Sequence, residues 1–166
     1  MRCKFEPNLI SIMISLSGVH ICRVDSKGRF MLPVALKNQV DAALGEGFMI
    51  KRSISAACLD LYPKSNWDDM LGKITRKLNM FRNEDRDFVR AYSSGLVALD
   101  IDSTGRLLIP RDLAVFAGIT GDIVLASMLN SIEIWDKTKY DEVVRETQKD
   151  MGARAEKLLG NINLFE

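Results

Sequence analysis

The sequence predicts an α+β protein built as a pseudo-two-fold tandem repeat, and three observations predict it. The pentapeptide Asp25-Ser26-Lys27-Gly28-Arg29 is written a second time as Asp102-Ser103-Thr104-Gly105-Arg106. Each copy lies between apolar runs and is followed by a proline, Pro33 or Pro110. Each copy also leads to the same later landmarks: a short helix, two strands, and a helix with a cap signature. The separations agree. Asp25 and Asp102, Arg29 and Arg106, and Pro33 and Pro110 are all 77 apart. Tyr62 and Trp135, Ser65 and Thr138, and Trp67 and Tyr140 are all 73 apart. The second unit is therefore four residues shorter, and the loops around Gly45 and Gly121 are the simplest place for the loss. Two copies are too few for a solenoid. Each alone is too small for a good core, so the halves are expected to bury each other's apolar faces.

Taken in order, residues 1–15 read as an N-terminal extension or lead strand, with a β-rich stretch from about Ile10 to Val24. Polar residues with a glycine between two β-prone runs predict a hairpin turn. Gly28 and Gly105 supply a positive φ cheaply, and Asp25 and Asp102 can accept backbone N–H bonds across the turn. Phe30 to Leu32 form the return strand. Pro33 suits the first position of a short helix, where its missing N–H costs nothing, and that helix should run to about Ala43. Phe48 to Lys51 and Cys58 to Tyr62 follow as strands. Ser65 with Asp68 reads as a capping box, and Trp67, Met70, Leu71, Ile74 and Leu78 keep helical spacing behind it. A linking helix spans 83–95. The second unit then repeats the plan over 96–151, against 16–82 for the first. Its strands are Leu96–Ile101, Leu107–Ile109, Ile123–Ala126 and Ile132–Trp135, and its helix starts at a second capping box, Thr138 with Asp141. The helix is expected to reach toward Leu159, within a tail at 152–166.

Composition excludes several classes. At 166 residues, 47% apolar and 27% charged, the chain is an ordinary soluble globular protein rather than a disordered one. Net charge is +1, but residues 1–52 are net basic by four, which suits an anionic partner locally. Cys3, Cys22 and Cys58 make neither a disulfide framework nor a zinc set, and His20 beside Cys22 lacks further ligands. Neither a metal nor a cofactor is expected, and a reducing cytosol is the default. Leu9 to Leu16 is too short to span a membrane and lacks the length and cleavage site of a signal peptide. Phosphate-cradling glycine loops and nucleophile motifs are missing from the sequence, so neither an enzyme nor a small-molecule substrate is expected.

The repeated turns admit two readings. Asp and Arg four apart can pair with each other simply to close a turn. Arginine is also the residue for bidentate contact to guanine and phosphate, and a hairpin tip is thin enough to approach a groove. Two tips would bind weakly, so affinity would need many presented together in an oligomer.

The paired Asp-x-x-x-Arg turns, each followed by a short apolar run and proline, resemble the MraZ family of bacterial transcriptional regulators. These belong with the AbrB-like swapped-hairpin DNA-binding proteins. Leu16-Ser17-Gly18 resembles the start of the family domain, and the resemblance covers roughly 16–150. It implies interleaved swapped β-hairpin units forming a small barrel-like core with flanking helices. It further implies a homo-oligomeric ring, an octamer, with its turns on short direct repeats of double-stranded DNA in the promoter of the division and cell-wall gene cluster. The protein would repress that operon from the cytoplasm, associated with the nucleoid. On the matching residues, Arg29 and Arg106 would touch DNA and Lys27 would help through phosphate. Arg23 and Lys37 are further candidates. Asp25, Gly28, Asp102 and Gly105 would support the turns. Trp67, Tyr140 and Tyr62 are read as core or subunit contacts. The alternative is an antitoxin-like or scaffold interaction module of the same fold.

Overall fold

Alternating apolar positions and turn glycines place the strands, and prolines start the short helices. The structure of the chain, a computed structural model, describes residues 13–41 and 44–162. The first half holds β1 (Val19–Arg23), β2 (Arg29–Met31), α1 (Val34–Gln39), β3 (Phe48–Arg52), β4 (Leu59–Pro63) and α2 (Lys64–Lys77). After α3 (Asn83–Tyr92) the second half repeats this as β5 (Val97–Leu99), β6 (Arg106–Leu108), α4 (Arg111–Ala117), β7 (Asp122–Ser127), β8 (Ile132–Asp136) and α5 (Lys137–Gln148). A further helix, α6 (Met151–Leu159), follows.

Six strands form one antiparallel sheet in the order β1-β7-β8-β4-β3-β5, and β2 pairs with β6 in a separate two-stranded ribbon. The order carries the pseudo-symmetry. Each half contributes a central pair, and each sends its first strand to the outer edge of the other half's pair. Asp60 and Glu133, equivalent by the spacing of 73, oppose each other at the centre of the sheet. Phe30 and Leu107, equivalent by 77, oppose each other in the ribbon. The pseudo-two-fold axis therefore passes through both pairs.

This corrects the expected hairpins. The strands on either side of each turn do not pair with each other beyond the turn. β1 runs against β7 from Val19↔Ala126 to Arg23↔Asp122, while β2 turns away to meet β6. In the first half the five-residue ladder with β7 satisfies more backbone groups than a three-residue local ladder would, while β5 pairs with β3 over three residues. Each motif is thus a corner between two sheets, and the larger sheet is open, with β1 and β5 at its edges. The missing four residues also divide differently. Cys22 opposes Ile123 where its equivalent Leu99 opposes Phe48, so β3 and β7 stand 75 apart. Half of the loss precedes β7. The rest falls between the strands, where 128–131 replaces 53–58.

One sheet face packs on the ribbon, α1 and α4. Phe30, Leu36, Leu107 and Leu113 meet Ile50, Leu61, Leu125 and Ile134 there in the main core. On the other face, α2 and α3 place Trp67 and Tyr92 against Tyr62, and α5 places Tyr140 against Trp135. The buried Tyr62 and Trp67 are core residues, as read from the sequence.

Other sequence expectations shift in detail. The short helices start one residue after Pro33 and Pro110, each proline holding the extended cap position. α1 stops at Gln39, short of Ala43, which lies outside the described residues. The strand expected from Ile10 begins at Val19, with only a bridge from Leu16 to Leu129 before it; Ile10 lies outside the described residues. Neither capping box forms. Pro63 and Asp136 are the caps, and Lys64–Asp68 and Lys137–Asp141 pair across the first turns instead. The long last helix is two helices, broken at 149–150.

Candidate nucleic-acid interface

The first turn is held by one carboxylate. Asp25 Oδ1 accepts the backbone N–H groups of Lys27 and Arg29, each at 2.9 Å, and Oδ2 accepts Arg29 Nε–H at 2.9 Å. The backbone closes the loop from Gly28 N to Asp25 O at 3.0 Å, and Gly28 takes φ +85°. The second turn repeats this. Asp102 Oδ1 accepts from Thr104 N and Arg106 N at 2.9 Å, and Oδ2 from Arg106 Nε at 3.1 Å; Gly105 also has φ +85°. Asp102 has one extra donor, the Thr104 hydroxyl at 2.7 Å. These bonds favour the ionised form. The Arg29 N–H is the main group holding Asp25 below the usual carboxylate range, and the Thr104 hydroxyl is the main one at Asp102.

The two turns are fastened to each other. Leu32 N donates to Gly105 O at 3.0 Å, and Ile109 N donates to Gly28 O at 2.9 Å. Between these bonds runs the β2–β6 ribbon, with Arg29 opposite Leu108 and Met31 opposite Arg106. Opposed residues and i, i+2 neighbours share a face of a ribbon. Arg29, Met31, Arg106 and Leu108 therefore share the outer face, while Phe30 and Leu107 enter the core. The side chains of Arg29 and Arg106 are 30% and 31% exposed. Each spends its Nε on an aspartate, which leaves the guanidinium terminus directed by a fixed carboxylate. The pair closes the turn and fixes the arginine side chain at Nε.

The remaining candidates are distributed unevenly. Lys27 is exposed on the first tip. Arg23 ends β1, 83% exposed, with Nη1 3.7 Å from Asp122. Lys37 belongs to the first half but reaches the second tip, its Nζ 3.6 Å from where a Cβ on Gly105 would sit. Sequence reasoning missed Arg111. It follows Pro110 where the first unit has Val34, and it lines the same depression as Lys27. A basic residue at the start of one proline-opened helix and not the other was the available signal.

On the far face of the sheet, Cys58, Asp60 and Glu133 bring one ligand atom each within 4.8 Å of one another. The cluster already has a cation. Lys51 Nζ, fully buried, lies 3.5 Å from Asp60 Oδ2, donates to Arg52 O at 2.7 Å and sits 4.4 Å from the centre of the Tyr92 ring. Glu133 accepts Trp135 Nε1–H at 2.8 Å. Burial raises Asp60 against the pull of Lys51 and pushes the Cys58 thiol up to about 12, so this is a neutral thiol beside an internal ion pair.

The chain is thus an α+β protein of two strand-exchanged repeats, each presenting a carboxylate-braced arginine. A family model described as "MraZ protein, putative antitoxin-like" matches residues 16–91 and 94–162. A protein named "Transcriptional regulator MraZ" from Flavobacterium psychrophilum is 49% identical over 91% of this chain and 96% of its own length. Its namesakes from Christiangramia forsetii and Bacteroides thetaiotaomicron are 44% and 30% identical, over 90% and 91% of this chain and 96% of theirs. The chain belongs to the MraZ family. These names describe regulators of transcription, not enzymes. Among the described residues, no helix is long and apolar enough to cross a membrane.

Proposed function

We propose that this protein is a sequence-specific DNA-binding transcriptional regulator whose two Asp-x-x-x-Arg tips contact double-stranded DNA. The observation that carries the reading is the shared outer face of the ribbon, where Arg29 and Arg106 stand half-exposed and braced by Asp25 and Asp102. A guanidinium held at Nε is pre-oriented for a guanine edge or a phosphate. The exchange of first strands between halves supports the AbrB-like swapped-hairpin assignment, with ribbon and sheet enclosing a barrel-like core. Two arginines are a weak grip, so the protein works as a homo-oligomeric ring, an octamer, that multiplies the tips along short direct repeats. Its target is the promoter of the division and cell-wall gene cluster, where it acts as a repressor, in the cytoplasm and on the nucleoid.

The test is a shift assay on its own upstream region across a salt series. Affinity falls steeply as salt rises. Arg29→Ala and Arg106→Ala each weaken specific binding by about tenfold or more, with the oligomer intact by light scattering. Normal binding by both variants would sink the assignment of the tips. The antitoxin-like reading rests on the family description. It gains ground only where a stoichiometric heterologous protein is captured and DNA is not bound.

A further inference from the structure

The two tips are backed differently. At the second, the Lys37 side chain closes on Gly105, with Met31 Sδ 3.3 Å from the same Cβ position. The residue equivalent to Lys37 at the first tip is Ala114, which is too short to reach Gly28. A depression of about 670 Å³ is left between the first turn and α4. Its walls are of two kinds. Val24, Leu108, Ile109, Pro110 and Ile119 offer apolar surface, while the exposed Lys27, Arg111 and Thr120 complete the lining. Among the described residues neither Lys27 nor Arg111 is in an ion pair. Asp25, the acid of this wall, is already committed to Arg29 and the turn backbone.

We propose that this depression seats one sugar-phosphate of the DNA backbone at the first tip, Lys27 and Arg111 holding the phosphate, and that the second tip, with Thr104 and Val34 at the equivalent positions, lacks this pair of cations. The inference rests on the DNA-binding reading above and names a contact within it. Two free cations fit a phosphodiester, and the apolar wall fits the C–H surface of a deoxyribose. At the second tip, among the described residues, the Lys37 ammonium from the first half is packed against the Gly105 turn. A regulator with one seat per pair of tips sits on DNA with a fixed polarity. That suits direct rather than inverted repeats.

Two variants test the seat on DNA carrying the upstream repeats and on scrambled DNA. Lys27→Ala/Arg111→Ala should weaken binding equally on both sequences. It should also lower the slope of log affinity against log salt by about one for each protomer engaged on the DNA. Ala114→Leu fills the depression without changing charge and should weaken both complexes by about tenfold, its fold checked by thermal melting. If it does not fold, the double variant decides alone. Wild-type affinity in either folded variant overturns the seat while leaving the arginine tips standing. A wild-type chain that fails to bind DNA at all overturns the proposed function and the seat together.

Discussion

Around Asp25 and around Asp102 the chain draws the same loop, with the same glycine φ, the same Nε anchor on the arginine and the same reciprocal bond to the other half. Behind the loops the likeness ends. Lys37 closes on the second, and Ala114 lines an open depression behind the first. At the centre of the sheet the divergence is larger. Asp60 and Glu133 face each other across the pseudo-axis, but only Asp60 has a buried lysine. The position equivalent to Lys51 is Ala126. Duplication preserved the backbone that makes a turn and let the surroundings specialise, because the turn is closed by its own five residues.

The largest break in that comparison is expected at the buried pair. Lys51→Met strands the Asp60 carboxylate and should lower stability by about 3 kcal/mol in urea unfolding. Replacing Asp60 with Leu in the same chain should recover most of it. Glu133→Gln, at the matching position, keeps an acceptor for Trp135 and should cost less than about 1 kcal/mol.

Next come the turn glycines. Gly28→Ala and Gly105→Ala both place an alanine at positive φ, a strain of about 1–2 kcal/mol. At Gly28 the new Cβ also lies 3.1 Å from the backbone carbonyl oxygen of Ile109, a residue whose N–H is tied to Gly28 O. At Gly105 it meets the flexible ends of Met31 and Lys37. Thermal melting should therefore rank Gly28→Ala as the more damaging.

Alkaline pH separates Cys58 from Ser131, which stands at its equivalent position. The Cys58 thiol ionises near 9.0 when unfolded and at about 12 when folded. The folded state thus holds its proton longer, and stability is lost as pH rises from about 9 through 12. Burial also raises Tyr62 and Tyr92, so Cys58→Ser should reduce the alkaline loss without abolishing it, and thiol-reagent labelling of Cys58 at neutral pH should track global unfolding.

The smallest effect tests the turns themselves. Both aspartates titrate below the usual range, so each turn's contribution is present above the ordinary carboxylate pKa and lost as pH falls through the lowered one. Thr104→Ala removes the extra hydroxyl and should move the Asp102 midpoint upward in an NMR titration, with Asp25 unchanged.

Much of this was legible in the chain. Repeated Asp-x-x-x-Arg, the prolines after it and the alternating runs are local signals, and they placed the turns, the short helices and most strands. Partner choice is a non-local matter. Nothing in Val19–Arg23 says that it will leave Phe30 and pair with Asp122–Ser127, because both pairings satisfy the same alternation. Lys51 was placed in a strand, but nothing local marks it as buried; its burial follows from α3 laying Tyr92 over it. The seat at Gly28 was invisible because it is made by an absence, an alanine where the other half has a lysine. Ser65 and Thr138 carried a cap signature that lost to Pro63 and Asp136, because each helix starts directly at the end of its strand.

The crossing of β1 and β5 between halves has a consequence for how the chain holds itself together. Cut between Tyr92 and Leu96, it would yield two fragments, each with an outer sheet strand whose hydrogen-bonding complement lies on the other. Neither piece could finish its sheet unaided, whereas an equimolar mixture could, as subunits of a dimer do. The peptide at 93–95 is a tether that spares the molecule that search, turning an encounter between two bodies into a property of one.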